Sequence, residues 1–229
     1  MKMMDDGQMI DVSIEWTENC LGTSPADPKL YEDYIASRAI KKGKKSEEEV
    51  AKEVTEAYEA LDAVEQRGWT TFLRDKDGFY VYDYWVKGFM KSSLAVLMET
   101  KDVDKVTAYK NTIDRYIFVW PRKLRFQYDP SILKENGGRL PVYERPLRAM
   151  TPQGPRTALT RSDYFPPGTK MDFTVELLPT SKLNIEMLET IFSYGRKFGM
   201  SQWASGGWGR FDTLKFEPRA EMKMKKKGN

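Results

Sequence analysis

Between Met9 and Trp16 apolar and polar residues alternate, with Ile10, Val12, Ile14 and Trp16 on one side and Asp11, Ser13 and Glu15 on the other. A period of two is that of a strand with one buried face, so a first strand is predicted over 9–16. The turn-rich strings Leu21-Gly22-Thr23-Ser24-Pro25 and Asp27-Pro28 follow. Residues 29–40 predict a short helix. A longer one begins at Ser46, with Glu47, Glu48 and Glu49 in its first turn and Val50, Val54, Leu61 and Val64 on one stripe, and it stops at Gly68.

Further along, Thr70–Leu73 and Phe79–Tyr82 flank Asp75-Lys76-Asp77-Gly78, the pattern of a β-hairpin. Asp75 and Asp77 begin like a calcium loop, but the later acidic ligands are missing and turn chemistry accounts for them. Residues 83–91 lead into a helix over 92–98, and Tyr116–Trp120 is a short strand with basic residues after it. An alternating strand is predicted over 171–178. An amphipathic helix over 184–197 turns Ile185, Leu188, Ile191 and Phe192 inward, and the last strand covers 211–216. This order predicts an α+β fold: a ferredoxin-like (RRM-like) β-α-β core, single or duplicated, with helical and β-ribbon insertions. One domain over 1–218 is expected, with a helical insertion at 24–68, a basic loop or ribbon at 137–164 and a basic tail at 219–229.

Composition narrows the chemistry. Hydrophobic residues make up 40% and charged residues 31% of 229, enough apolar material to bury a core. No apolar run approaches the ~18 residues a membrane span needs. The first residues lack the apolar centre of a signal peptide. With Cys20 as the only cysteine, neither an internal disulfide nor a thiolate zinc site can form, and a reducing cytoplasm is expected, bacterial or in a phage-infected host. There is no histidine, which removes the usual general base, the usual transition-metal ligand and every Ser-His or Cys-His pair. No cofactor and no metal site is implied.

The net charge of +3 is unevenly placed. Residues 139–161 hold five arginines and one glutamate, the tail 219–229 is equally basic, and the remainder is acidic. Such clusters fit phosphate binding or, more plainly, a solvated loop and a solubilising tail. In the first cluster Arg145, Arg148 and Arg156 are interleaved with Tyr143, Pro146, Leu147 and Met150, as in a ribbon that tracks a single strand. Gly206-Gly207-Trp208-Gly209-Arg210 stands between helix and strand, where glycines permit close approach of a phosphate that Arg210 can neutralise, or simply relieve a tight turn. It is neither a Rossmann fingerprint nor a P-loop.

Three landmarks in order resemble the RAMP superfamily of CRISPR-associated RNA-binding proteins. Trp85-Val86-Lys87-Gly88-Phe89-Met90-Lys91 is similar to a Lys-Gly segment of that family, Phe165-Pro166-Pro167-Gly168-Thr169 to its Pro-x-Gly lead into a strand, and Gly206–Phe211 to its glycine-rich loop. The resemblance spans 9–216. It departs from the family where Tyr84-Trp85-Val86 replaces a serine pair, where Lys91 replaces an arginine, and in having no histidine. Leu21-Gly22-Thr23, Glu144–Ala149 and Gln153–Arg156 also resemble strings in uncharacterised phage and prophage proteins of Gram-positive bacteria.

The resemblance implies a single-stranded nucleic-acid binder, with RNA the expected ligand and Lys87, Lys91, Arg145, Arg148, Arg156, Gly206, Gly207, Gly209 and Arg210 at the interface. Trp85 and Trp208 are candidates to stack bases. It also implies self-association along the strand or partnership with other ribonucleoprotein subunits. Whether the chain is an enzyme stays open. A metal-assisted endoribonuclease would use Asp27 or Asp33 from the loop after the first strand, and a protein-interaction or assembly module without nucleic acid is the other alternative.

Overall fold

The computed structural model describes residues 7–26, 69–151 and 154–219, with 147–151 and 154–159 as backbone alone. The predicted helices over 29–40 and 46–67, with Asp27 and Asp33, lie outside the described residues. In chain order the first strands are β1 (Gln8–Trp16), β2 (Cys20–Leu21), β3 (Ser24–Pro25), β4 (Trp69–Thr71), β5 (Leu73–Asp75) and β6 (Gly78–Tyr82). Helices α1 (Tyr84–Glu99) and α2 (Tyr109–Tyr116) lead to β7 (Ile117–Trp120), β8 (Lys123–Arg125) and the short α3 (Ser131–Glu135). Strands β9 (Val142–Thr151), β10 (Gly154–Phe165) and β11 (Lys170–Leu177) precede α4 (Ile185–Ser193) and β12 (Phe211–Pro218). The fold is mixed α+β with several sheets.

The main sheet has the order β12-β1-β11-β7, and each neighbouring pair is antiparallel. Chain order and sheet order differ because two β-α-β passages interleave, β1 to β7 by way of α1 and α2, and β11 to β12 by way of α4. The alternation in β1 does what its period dictates. Ile10, Val12, Ile14 and Trp16 are buried, opposite Val175, Phe173 and Met171 on β11, while Asp11, Ser13 and Glu15 take the other face. The helices cover the apolar face with Val86, Met90, Leu94 and Leu97 from α1 and Leu188, Ile191 and Phe192 from α4. Full burial of each such side chain stabilises by about 1.5–3 kcal/mol. Phe89 closes the seam at 5.1 Å from Phe211.

Helix boundaries depart from the sequence reading in one instructive place. Residues 84–91 are helical, not a lead into a helix at 92, because Val86, Phe89, Met90, Leu94 and Leu97 form a single stripe at helical spacing. Gly88 sits in mid-helix with open space around its Cα, so it costs only about 1 kcal/mol relative to alanine. Asn184 caps α4 by accepting from the Met187 N–H at 2.8 Å, and the helix gives way to a 3-10 turn at Tyr194–Arg196.

The predicted hairpin also divides. Trp69–Thr71 joins a sheet of order β2-β10-β4-β3, whereas Leu73–Asp75 pairs with β6 and belongs to the sheet β5-β6-β8. Between them Phe72 is buried in an aromatic seam with Phe126 and Phe165 at 4.8 and 4.9 Å. Gly78 at φ +111° makes the turn, and Asp75 accepts from the Asp77 N–H at 3.0 Å. Arg125 and Lys123 also donate to Asp75, and these contacts, with Arg125 foremost, hold its carboxyl well below the usual range against its partial burial. Turn chemistry is therefore the right account of this loop, and no cluster able to hold a metal occurs among the described residues.

The basic segment is a long antiparallel ribbon. β9 and β10 pair from Val142↔Asp163 to Thr151↔Gly154 without a break, a ladder of about 30 Å at the usual rise per residue. Its base is anchored by β2 on Tyr164 and Phe165 and by β4, parallel, on Arg161 and Ser162.

Candidate nucleic-acid interface

The glycine-rich loop is welded to the far end of β1. Met200 N–H donates to the Gly209 carbonyl at 2.9 Å, Gly209 N–H to Asn19 at 2.9 Å, and Leu21 N–H to the Ser201 hydroxyl at 2.7 Å. A Cβ on Gly199 would collide with the Gly209 backbone, and one on Gly209, at φ +70°, with Ser201 and Met200. The amides of Gly206 and Gly207 donate to Trp203 and Ala204 at 2.9 and 3.0 Å. The N–H groups of Gly206, Gly207 and Gly209 therefore already have carbonyl partners. The expectation of an anion-binding nest built from them gives way to close backbone packing.

What the loop does present is aromatic. Trp203 takes the left-handed region at φ +62° and is 44% exposed. Gly206 lies beneath its indole, where a Cβ would stand 2.6 Å from the ring. Trp208 is 6.5 Å from Trp203 and 4.6 Å from Tyr143 of β9, between ring centroids. Arg145, two residues along the same strand, places its guanidinium 4.1 Å from the Trp203 centroid. It is 9% exposed, and its Nε and Nη1 have no hydrogen-bond partner. A cation–π contact is worth about 0.5–2 kcal/mol. Burying an ionised group costs several kcal/mol, so the ring alone does not offset the burial of this one.

Below this wall a polar seam joins ribbon, loop and β4. Thr70 and Ser162 hydroxyls lie 2.8 Å apart, and Gln202 Oε1 accepts from them at 2.5 and 3.1 Å. Asp163 accepts from Trp69 Nε1 at 2.8 Å and from Thr71. Burial pushes its carboxyl up, against the lowering effect of those two bonds.

The remaining sequence-predicted residues scatter. Arg210 is exposed beside the loop, its guanidinium 3.3 Å from where a Gly207 Cβ would stand. Arg148 and Arg156 occupy the ladder opposite Thr157 and Ala149, beyond Arg145 toward the tip. Arg161 pairs with Glu144 at 2.7 Å. Lys87 sits over Phe118 at 5.0 Å, and Lys91 bridges α1 to Asp114 of α2 at 2.6 Å. Phe118 registers through Glu176 with Met9, whereas Phe211 registers with Trp16. Phe118 and the loop are thus three strands apart and displaced by most of the length of β1, roughly 25 Å by standard strand spacings. The structure brings Arg145 to the loop and leaves Lys87 and Lys91 at the opposite edge. Trp85 packs with Trp16 and Phe126 at 6.2 and 6.3 Å, partly buried against the core.

Nor is the open face of the main sheet an RRM-like platform for RNA. It carries Asp11, Glu15, Asp172 and Glu176, and of its cations Lys170 is paired with Glu15 and Arg219 with Asp11, which leaves little positive charge for phosphate. Asp11 is held below its ordinary range chiefly by hydrogen bonds from Arg219 at the start of the basic tail. Sequence reasoning missed Trp203. Its signal was a second tryptophan five residues before Trp208 in the same glycine-rich run.

No protein-family model matches the chain, and no curated protein matches it. Among solved structures similar in shape is a cryo-EM structure of the Type III-B Cmr-beta bound to cognate target RNA, at 9% identity and a TM-score of 0.46. The likeness covers 93% of this chain and 61% of that one, so the chain spans less than two thirds of its length. A likeness this distant assigns no function, and the site must carry the reading. No helix among the described residues is long and apolar enough to cross a membrane.

Proposed function

We propose that this chain binds single-stranded nucleic acid, RNA foremost, where the base of the β9–β10 ribbon meets the loop before β12, on a ferredoxin-like core. The interleaved β-α-β passages and the order β12-β1-β11-β7 support the core. The observation that carries the function is Arg145, a buried guanidinium with two unpartnered nitrogens against Trp203, whose ring leads on to Trp208 and Tyr143. Single strands are gripped by that pairing of cation and stacking surface, and Arg148 and Arg156 would extend the contact along the ribbon. Anisotropy of a labelled single-stranded RNA at low and high salt tests it. Binding should weaken steeply with salt and fall in Arg145→Ala, and absence of binding at low salt would overturn it.

A second reading, a protein-docking module, is favoured by one feature. A shallow groove of about 520 Å³ crosses the open sheet face, with exposed Trp120 and Leu214 on its walls and Asp11 and Asp172 among its lining. Co-purification of one defined protein in the absence of nucleic acid would support that reading.

A further inference from the structure

We infer that Arg145, Trp203, Trp208 and Tyr143 form a guanine-selective base site, an inference that rests on the single-strand binding proposed above and names the base it takes. A guanidinium has two-pronged edges, and either edge of Arg145 includes a nitrogen that makes no hydrogen bond in the fold. A ligand with two adjacent acceptors would supply that partner. Phosphate offers them, but an anion placed at a nine-tenths buried site must lose its hydration against a single cation. It also gains nothing from flat rings. A neutral base is desolvated more cheaply, and a base that pairs edge-on with the guanidinium continues its plane. The guanidinium stands 4.1 Å from the Trp203 centroid, so a base paired to it lies beside an aromatic ring.

Among the bases, guanine presents O6 and N7 as two acceptors on one edge, the pairing most often made by arginine. Adenine presents N7 beside an amino donor, which meets the guanidinium donor to donor. Uracil's two carbonyls are separated by an N–H. Cytosine has two adjacent acceptors on its pairing edge, but its single ring covers less of the Trp208–Tyr143 wall. The geometry therefore selects guanine over the other three. Trp203 is the exposed member of the wall and sits at a backbone conformation unfavourable for tryptophan, the kind of strain found at ligand sites.

The test is fluorescence anisotropy with decamers of uridine carrying one central guanosine, adenosine, cytidine or 7-deazaguanosine. Guanosine should bind roughly 5- to 100-fold tighter than adenosine or cytidine, the discrimination one bidentate pair supplies. The 7-deaza base, lacking N7, should lose most of that preference. Arg145→Lys keeps the charge and loses the fork, so it should retain salt-sensitive binding while treating the four decamers alike. Equal affinity of wild-type protein for all four decamers overturns the guanine site and leaves single-strand binding standing. Cytidine binding as tightly as guanosine likewise overturns it. No binding of any decamer at low salt overturns both. The deaza comparison uses wild-type protein, so a variant that fails to fold does not remove the test.

Discussion

Replacing Arg145 by methionine should make the protein more stable and a worse binder at once. Methionine keeps an unbranched apolar stem of similar reach beneath Trp203 and removes the charge. In the folded chain Nε and Nη1 are buried without partners, and each buried unsatisfied group costs about 1–3 kcal/mol. The substitution forfeits the cation–π contact, about 0.5–2 kcal/mol, part of which a thioether over an indole restores. The balance is a gain of about 1–3 kcal/mol, of the kind seen when buried charges give way to apolar groups of like volume. In a chain of this size 1 kcal/mol moves Tm by about 2–4 °C, so a rise of about 2–12 °C is expected by circular dichroism. The same preparation should lose affinity for guanosine-bearing RNA. A fall in Tm would refute the reasoning, because it would mean that the guanidinium serves the fold through a partner.

Three other outcomes follow from the geometry. Gly209→Ala should cost about 2–4 kcal/mol in urea unfolding, since positive φ and a backbone collision combine, whereas Gly207→Ala should cost only about 1 kcal/mol for its φ of +90°. Equal costs would contradict the close packing of residues 199–201 on 209. Asp163 has a raised carboxyl in the fold, so its contribution to stability is fully present below its ordinary value and is lost as pH rises through the raised one. The wild-type minus Asp163→Asn difference in Tm should therefore fall as pH rises from acid toward neutral, and a difference that grows instead would reverse the assignment. Arg148→Ala with Arg156→Ala should flatten the salt dependence of RNA binding by about 1.4 logarithmic units per decade of salt. Lys91→Ala, which loses only a half-exposed ion pair, should leave that slope unchanged and cost under about 1 kcal/mol. An unchanged slope in the double arginine variant would place the strand elsewhere.

The parts of the fold legible in the sequence are those where one face is buried and the other is not. Strands β1 and β11 and helix α4 announce themselves by period alone, whereas β12 buries only Phe211. Helix α1 begins earlier than expected because Tyr84-Trp85-Val86 has the composition of a strand, while its core contacts, Val86 to Leu97, are set by a sheet assembled from distant segments. Helix α2 buries only Thr112 and Ile113 and carries too little apolar pattern to be seen. The division at Phe72 depends on parallel pairing of Thr70 with Ser162, a partner that no local pattern can name. At the site, arginine and tryptophan were visible as residue types. Their meeting was not, because it needs the ribbon folded against the loop. The glycines misled for a related reason: a glycine that admits a phosphate and one that admits a neighbouring backbone read alike until the neighbour is in place.

One junction bears on how such a chain can change. Ala26 N–H donates to the Trp69 carbonyl at 2.9 Å, and β3 lies against β4 through Ser24↔Thr71 and Pro25↔Thr70. The chain thus leaves the described body at residue 26 and re-enters it at residue 69, beside its own point of departure. Two ends held this close can be joined by connections of different length without changing the register of β3 on β4. The strand that closes this junction, β4, also pairs with β10 at Arg161 and Ser162, across β10 from β9 and Arg145. A change at the junction is therefore passed to the ribbon through β10.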